Sequence, residues 1–337
     1  MKAVILAGGE GTRLRCVTGD VPKPMVSLCG KPMLEHIIAL LRKNGFDELC
    51  AAVRYRREDI EGYFGDGEKF GVKLQYRIEE EPLGTAGAVK NCADFYQDED
   101  FLVISGDAAC DFDLRGLYNW HKSHGGAASI ALYRSEAPLR YGLAVTDGAG
   151  LVRSFVEKPD WSRVVTDLVN TGIYVLSPRA MDYVPPRQTA DFARDLFPRL
   201  LDCGESVYAR AEEGYWQDVG EPLSYYKCCL DALTGVYPTE IAPEFLPKAA
   251  ESAPDAAGEE YECADRAALM GRLSRVMLDM GADFSDGIRL HREHYDMHIF
   301  PCGAKSAVRV SVRSPDAEFA RELAITAGEL IKALEKK

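Results

Sequence analysis

The sequence predicts an α/β domain built on a mixed, mostly parallel sheet, followed by a small α+β domain at the C-terminal end. Three observations carry this expectation. Up to about residue 235, short apolar strand-like runs alternate with amphipathic helices, which is the pattern of a layered α/β sheet. Residues 236–262 break that pattern, with Pro238, Pro243, Pro247 and Pro254 set among alanines and acidic residues, and read as a semi-rigid linker. Residues 263–337 then show a helical stripe, three strand-like runs and a second helical stripe. The expected division is therefore 1–235, 236–262 and 263–337. A chain of 337 residues with 47% hydrophobic residues accommodates two such cores.

The elements follow in order. Ala3 to Leu6 is an apolar run that ends at glycines, a buried strand by its length and punctuation. Leu34 to Asn44 places Leu34, Ile37, Ile38 and Leu41 on one helical stripe closed by Gly45. Leu49 to Val53, Val72 to Tyr76, Phe101 to Ile104 and Ala128 to Leu132 read as strands, and Asp113 to His121 and Asp191 to Leu201 as helices. In the tail, Leu269, Leu273, Val276, Met277 and Met280 recur at helical spacing. Strands are expected over Gly287 to His291, Asp296 to Phe300 and Ala307 to Val312. Ser314-Pro315-Asp316 opens a last helix whose stripe is Phe319, Leu323, Leu330, Ile331 and Leu334. The tail thus reads as α-β-β-β-α.

A formal charge of −13 argues against a nucleic-acid or membrane-surface partner. The apolar stretch after Lys2 is too short for a signal peptide, and no run approaches the roughly 18 apolar residues of a membrane span. Ten cysteines without Cys-x-x-Cys spacing read as small buried hydrophobes of a reducing cytoplasm, not as a disulfide framework or zinc site.

The most informative segment is the beginning. Strand Ala3 to Leu6 runs through Ala7 into Gly8, Gly9, Glu10, Gly11, Thr12 and Arg13, with Pro22-Lys23-Pro24-Met25 shortly after. Glycines let backbone N–H groups approach an anion, and Arg13 and Lys23 add positive charge beside them, so the order describes a phosphate cradle. It is not the dinucleotide fingerprint, whose third glycine position is Leu14 here, nor the ATPase loop, because no Gly-Lys-Ser/Thr closes it. In such sheets ligands gather at the carboxyl ends of strands, where Gly8 to Gly11 and Asp107 both fall.

Gly-Gly-Glu-Gly-Thr-Arg-Leu followed by Pro-Lys-Pro-Met resembles the signature of the sugar-1-phosphate nucleotidylyltransferases, the nucleotide-sugar pyrophosphorylases. The likeness continues in order: Glu81 to Gly87 resembles the second nucleotide loop, and Ser105-Gly106-Asp107 the metal-binding Gly-Asp. Tyr141-Gly142, Phe155 to Pro159 and Asn170 to Tyr174 resemble the sugar-facing segments, and Trp216 to Gly220 the segment with the second metal carboxylate. The resemblance implies a Rossmann-like nucleotide-diphospho-sugar transferase fold and Mg²⁺ held by Asp107 and Asp218. It also implies a nucleotide site of Leu6, Ala7, Gly8, Gly9, Gly11, Thr12, Glu79, Pro82, Gly84 and Thr85. The sugar site would comprise Gly106, Gly142, Glu157, Lys158, Asn170 and Thr171. Proline is usual in the family where Cys16 stands, and threonine where Glu221 stands.

Transfer of a nucleotidyl group to a sugar 1-phosphate brings two polyanions together, so it needs charge neutralisation and in-line positioning more than a nucleophile. Arg13, Lys23, Asp107, Lys158 and Asp218 are the expected catalytic groups, with Lys158 on the sugar's phosphate and Glu157 on its hydroxyls. Asp111-Phe112-Asp113 imitates a glycosyltransferase Asp-x-Asp but is expected to cap a helix. Glu79 lies where relatives face the base. A carboxylate only accepts, and guanine offers two adjacent donors, whereas uracil and thymine set one donor between two acceptors. Guanine is therefore the favoured base, and a mutase-like tail resembles that of mannose-1-phosphate guanylyltransferases, which implies GTP and mannose 1-phosphate giving GDP-mannose as the favoured expectation. The alternatives are a UTP- or dTTP-dependent glucose-1-phosphate enzyme and a non-catalytic sensor of nucleotide sugars.

The tail resembles the last domain of the phosphohexomutases, through Asp286-Gly287-Ile288 and Val308-Arg309-Val310. Their phosphate-gripping loop reads Phe300-Pro301-Cys302-Gly303-Ala304-Lys305-Ser306 here, without the opening arginine or the Thr-Glu pair, and the other mutase domains are missing. The tail is expected to serve stability, regulation or homo-oligomeric assembly, and a chain ending near Val236 to retain transfer.

Overall fold

The computed structural model describes residues 1–135, 137–243, 255–285, 287–302 and 306–336. Asp286 and three residues of the mutase-like loop, 303–305, lie outside these. In chain order the first part contains β1 (Lys2–Leu6), α1 (Met33–Lys43), β2 (Glu48–Val53), α2 (Arg57–Phe64) and β3 (Lys73–Ile78). There follow α3 (Gly84–Lys90), β4 (Phe101–Ser105), β5 (Ala108–Cys110), α4 (Leu114–His124) and β6 (Ala128–Arg134). Next come β7 (Gly142–Thr146), β8 (Val152–Glu157), β9 (Leu168–Leu176), α5 (Phe197–Asp202), β10 (Val207–Ala211) and β11 (Trp216–Asp218).

Nine of these strands form one sheet with the path β8-β7-β9-β4-β1-β2-β3, to which β6 joins at β9 and β10 at β6. The strands β4, β1, β2 and β3 are mutually parallel, as are β6 and β10, whereas β9 runs against β4, β6 and β7. The sheet is mixed, as the sequence suggested. Alternation along each strand divides its side chains between two cores. Ala3, Ile5, Leu49, Ala51, Leu102 and Ile104 pack with Leu34, Ile37, Ile38 and Leu41 of α1 on one face. Val4, Cys50, Ala52, Val103 and Ile130 pack with Phe192, Phe197 and Leu200 on the other. This is period-two alternation on a sheet covered on both sides.

One element differs in detail from expectation, and one detail agrees with it. The helix read over Asp191 to Leu201 opens with a π-helical turn, Phe192–Leu196, before α5 begins. In α4, Asp113 is the N-cap, its carboxylate accepting from the Gly116 N–H at 2.8 Å, so the second aspartate of Asp111-Phe112-Asp113 caps a helix as anticipated.

Contacts divide the chain into two compact units, Met1–Val26 with Pro32–Asp218, and Ser27–Lys31 with Val219–Lys337. The second unit contains α6 (Pro222–Leu233), β12 (Asp255–Glu262), α7 (Arg266–Val276), β13 (Ile288–Arg292), β14 (Tyr295–Cys302), β15 (Ala307–Ser314) and α8 (Ala317–Glu335). Its antiparallel sheet has the order β12-β15-β14-β13. The expectation of a linker through residue 262 is corrected at its last eight residues. Asp255–Glu262 pair along their whole length with β15, which supplies the hydrogen bonds that the polar sequence does not advertise. The helix α6 also belongs with this unit, because α8 packs on it.

Among the described residues no helix is long and apolar enough to cross a membrane. Cys29, Cys50, Cys92, Cys110, Cys228 and Cys229 are buried free thiols. The described residues contain no group of three or more His, Cys, Asp or Glu that could hold a metal.

Candidate active site

The carboxyl ends of β1, β2 and β4 open on a cavity of about 310 Å³ lined by Leu6, Gly8, Gly9, Lys23, Glu79, Pro82, Gly84, Thr85, Gly106 and Asp107. Ten residues expected from the sequence thus meet in one place. The same cavity is also lined by Pro24, Arg54, Ala88, Ser105 and Asp191, which the sequence reading did not assign.

Each wall has a structural cause. Parallel pairing of β1 with β4 sets Leu6 beside Ser105, and the Gly106 N–H donates to the Leu6 carbonyl at 2.9 Å, which fixes Asp107 above the glycine loop. The second loop enters α3 through Gly84 at φ +70°, where an added Cβ would lie 2.5 Å from the Ala190 carbonyl oxygen. Only glycine fits that turn. The Thr85 hydroxyl donates to Asp191 Oδ2 at 2.9 Å, and the N–H groups of Ala86 and Gly87 donate to the Ala190 carbonyl. The loop is therefore braced by a segment more than 100 positions further along the chain.

Charge concentrates at the other end. Lys23 Nζ donates to Asp107 Oδ2 and lies 3.8 Å from Asp218 Oδ1. Antiparallel pairing of β11 with β5 sets Asp218 opposite Ala108, one position from Asp107, so two carboxylates converge on one ammonium. Ser105 Oγ donates to Asp107 Oδ1. Burial would raise the Asp107 carboxyl, but the Lys23 charge and the hydrogen bonds from Lys23 and Ser105 outweigh it and hold it below the usual carboxylate range. Burial and the Asp107 charge push Asp218 up, against the opposing pull of Lys23, Arg13 and Arg140. Two carboxylates arranged around a cation suit Mg²⁺, which usually takes one or two carboxylates and completes its shell with phosphate oxygens and water.

Glu79, also in the cavity lining, is 8% exposed, with Oε2 accepting from the Leu83 N–H at 3.3 Å. Burial raises its carboxyl, while that hydrogen bond and the Arg54 charge work against the rise.

Other expected residues stand apart from the cavity lining. Gly142 faces Glu157 across the β7–β8 pair, and a side chain on it would meet Glu157 Oε2 at 2.7 Å. Lys158 follows at φ +42°, its N–H donating to the Tyr141 carbonyl. Tyr141 packs edge-on against Trp216 of β11, which ties this segment to the strand bearing Asp218. A bulge in β9 between Asn170 and Tyr174 turns Gly172 towards Ser105. The Asn170 amide donates to Tyr174 Oη and accepts from the Gly172 N–H, and the Thr171 hydroxyl, buried, donates to the Ala131 carbonyl. Those two side chains hold the bulge. Gly11 packs against Lys23, an added Cβ lying 3.1 Å from Lys23 Cβ, and Thr12–Leu14 forms a 3-10 turn that carries Arg13. Ala7 is buried, its N–H donating to the Ala52 carbonyl.

Of the residues missed, Arg54 carried a usable signal, because it directly follows the strand-like run Leu49 to Val53. Asp191 carried none in favour of a cleft, since an aspartate before a helix reads as a cap. It is also that, accepting from the N–H groups of Ala193 and Arg194.

Comparison with known proteins agrees with this geometry. The family model described as nucleotidyl transferase matches residues 2–235. A UTP–glucose-1-phosphate uridylyltransferase from Synechocystis is 38% identical over 73% of this chain and 66% of its own length. Mannose-1-phosphate guanylyltransferase 1 of Arabidopsis thaliana is 37% identical over 72% of this chain and 68% of its own. The chain thus spans about two thirds of the length of these relatives. The crystal structure of HddC from Yersinia pseudotuberculosis complexed with GMP-PN superposes with a TM-score of 0.58 at 33% identity, covering 68% of this chain and 97% of that one.

Proposed function

We propose, on the premise that the chain belongs to the nucleotidyl transferase family, that it joins a nucleoside triphosphate to a sugar 1-phosphate and releases pyrophosphate. A phosphate oxygen of the sugar 1-phosphate attacks the α-phosphorus, the bond from that phosphorus to the β-phosphate's bridging oxygen breaks, and pyrophosphate leaves with the electron pair. The glycine loop's N–H groups and the Lys23 ammonium receive the triphosphate, and Arg13 meets the charge that builds on the leaving pyrophosphate. Lys158 holds the sugar's phosphate, and Glu157 accepts from its hydroxyls. Asp107 and Asp218 would hold Mg²⁺, which supplies charge neutralisation between the two polyanions.

The nucleotide we infer is GTP and the sugar phosphate mannose 1-phosphate. The sugar rests on the likeness to mannose-1-phosphate guanylyltransferases, and the observation that carries the base is Glu79, a buried carboxylate of the cavity lining. Such a group stabilises two adjacent donors and repels the carbonyls that flank the single donor of uracil. The HddC structure with GMP-PN and the Arabidopsis guanylyltransferase lean the same way, and the Synechocystis relative leans towards UTP and glucose 1-phosphate. Pyrophosphate release, measured with each common NTP against glucose and mannose 1-phosphates, decides between them. Preference for UTP would overturn the guanine assignment, and no release with any pair would overturn the enzyme reading.

A further inference from the structure

Arg54 is a cleft cation that neither the glycine loop nor the Pro-Lys-Pro segment supplies. It directly follows β2, beside β1, and lines the cavity together with Gly8 and Glu79. The three converge closely, because a methyl group on Gly8 would fall 2.9 Å from Glu79 Oε1 and 3.5 Å from Arg54 Cβ. Arg54 Nη2 donates to Glu10 Oε1 at 3.1 Å, a contact between two side chains about one third exposed, 29% and 37%. Ion pairs of that exposure are weak and exchange easily for a better acceptor.

We propose that Arg54 determines base specificity by leaving Glu10 and donating two N–H groups to O6 and N7 of guanine, while Glu79 accepts from N1–H and the N2 amine. This rests on the guanine reading above and extends it to the other half of the base edge. Around guanine the groups run as two neighbouring donors and then two neighbouring acceptors. A carboxylate beside a planar guanidinium is the complement of that sequence, and a guanidinium fork matches O6 and N7 in two parallel bonds. Adenine sets a donor next to N7, and pyrimidines have no N7. Glu10 then serves as a resting partner that keeps Arg54 from collapsing onto Glu79 in the empty cleft.

The test measures kcat/KM with GTP, 7-deaza-GTP, which lacks the N7 acceptor, and inosine triphosphate, which lacks the N2 amine. The wild-type protein is expected to lose on the order of 10-fold with each analogue. Arg54→Ala is expected to lose the discrimination against 7-deaza-GTP and to keep that against inosine triphosphate. Glu10→Gln is expected to keep both. An Arg54→Ala protein that still discriminates fully against 7-deaza-GTP overturns the proposal. So does a Glu10→Gln protein that has lost that discrimination, since Arg54 would then act only by latching the loop. Wild-type preference for UTP over GTP overturns the guanine reading itself, and is visible before any variant is made.

Discussion

Lys23 bonds Asp107 and stands 3.8 Å from Asp218, so its ammonium occupies the place between the carboxylates that an incoming divalent cation needs. Unit charges 3.8 Å apart attract by about 4 kcal/mol at an effective dielectric of 20. The Asp218 side chain is 33% exposed, and water screening reduces that to about 2 kcal/mol. The contact with Asp107, less exposed at 24%, contributes at least as much. A metal ion entering without nucleotide would have to replace these attractions, whereas in the proposed reaction Lys23 would pass to the bound triphosphate. Lys23→Met keeps the stem and removes the charge. It is expected to tighten Mn²⁺ binding by nucleotide-free protein on the order of 10- to 100-fold, at 1.4 kcal/mol per factor of ten. Turnover should fall by roughly 100-fold or more, since a group that stabilises transition-state charge is gone. Titration of Mn²⁺ by calorimetry or by the loss of its free-ion resonance reads the first effect, and pyrophosphate release the second. Unchanged or weaker Mn²⁺ binding in the variant would refute the placement of the metal between Asp107 and Asp218.

Gly84→Ala, at φ +70° and 2.5 Å from the Ala190 carbonyl, is expected to cost more than about 1 kcal/mol in denaturant unfolding, while Gly9→Ala, which meets nothing within 4 Å, costs less. Equal losses would contradict the account of the second loop. Stability should also fall in acid because of two histidines, His121 buried and His124 half-buried. His121 lies between Ser129 Oγ at 2.8 Å and Ser177 Oγ at 3.2 Å, and His124 bonds the same Ser129 at 3.0 Å. Burial pushes His121 down to about 4, against the nearby Asp100 carboxylate, and lowers His124 as well. Both bind protons more readily when unfolded, so their contribution is complete above about pH 6.5 and is lost as pH falls towards 4. A flat unfolding midpoint between pH 7 and pH 5 would contradict this. A chain ending at 236 is expected to melt lower and bind a hydrophobic dye, because α6, whose Cys228, Leu230 and Leu233 are buried in the full chain, loses the helix α8 that packs on it. A truncated protein as stable as the full chain would show that α6 does not need the tail.

The glycine loop, Lys23 and Asp107 were legible in the sequence because their chemistry is local: glycines after a strand, a lysine between prolines, an aspartate at a strand end. Asp218 became legible only through the order of motifs, since its place beside Asp107 depends on the ladder between β5 and β11. Thr171 looked like a sugar ligand by position, yet its hydroxyl bonds the Ala131 carbonyl, a partner that no local window contains. The strand Asp255–Glu262 was hidden for a similar reason. At the edge of its sheet it needs few apolar residues, and its fully polar stretch Glu259-Glu260 is compatible with pairing on one side only. Arg54 and Asp191 take their positions from Glu10 and Thr85, 44 and 106 residues away in the chain. Composition and periodicity describe what a residue does to its neighbours in sequence. The residues that remained unread are those whose roles are set by groups meeting across the cleft, and that is also why the base-reading pair is argued from Gly8, the point at which Arg54 and Glu79 converge.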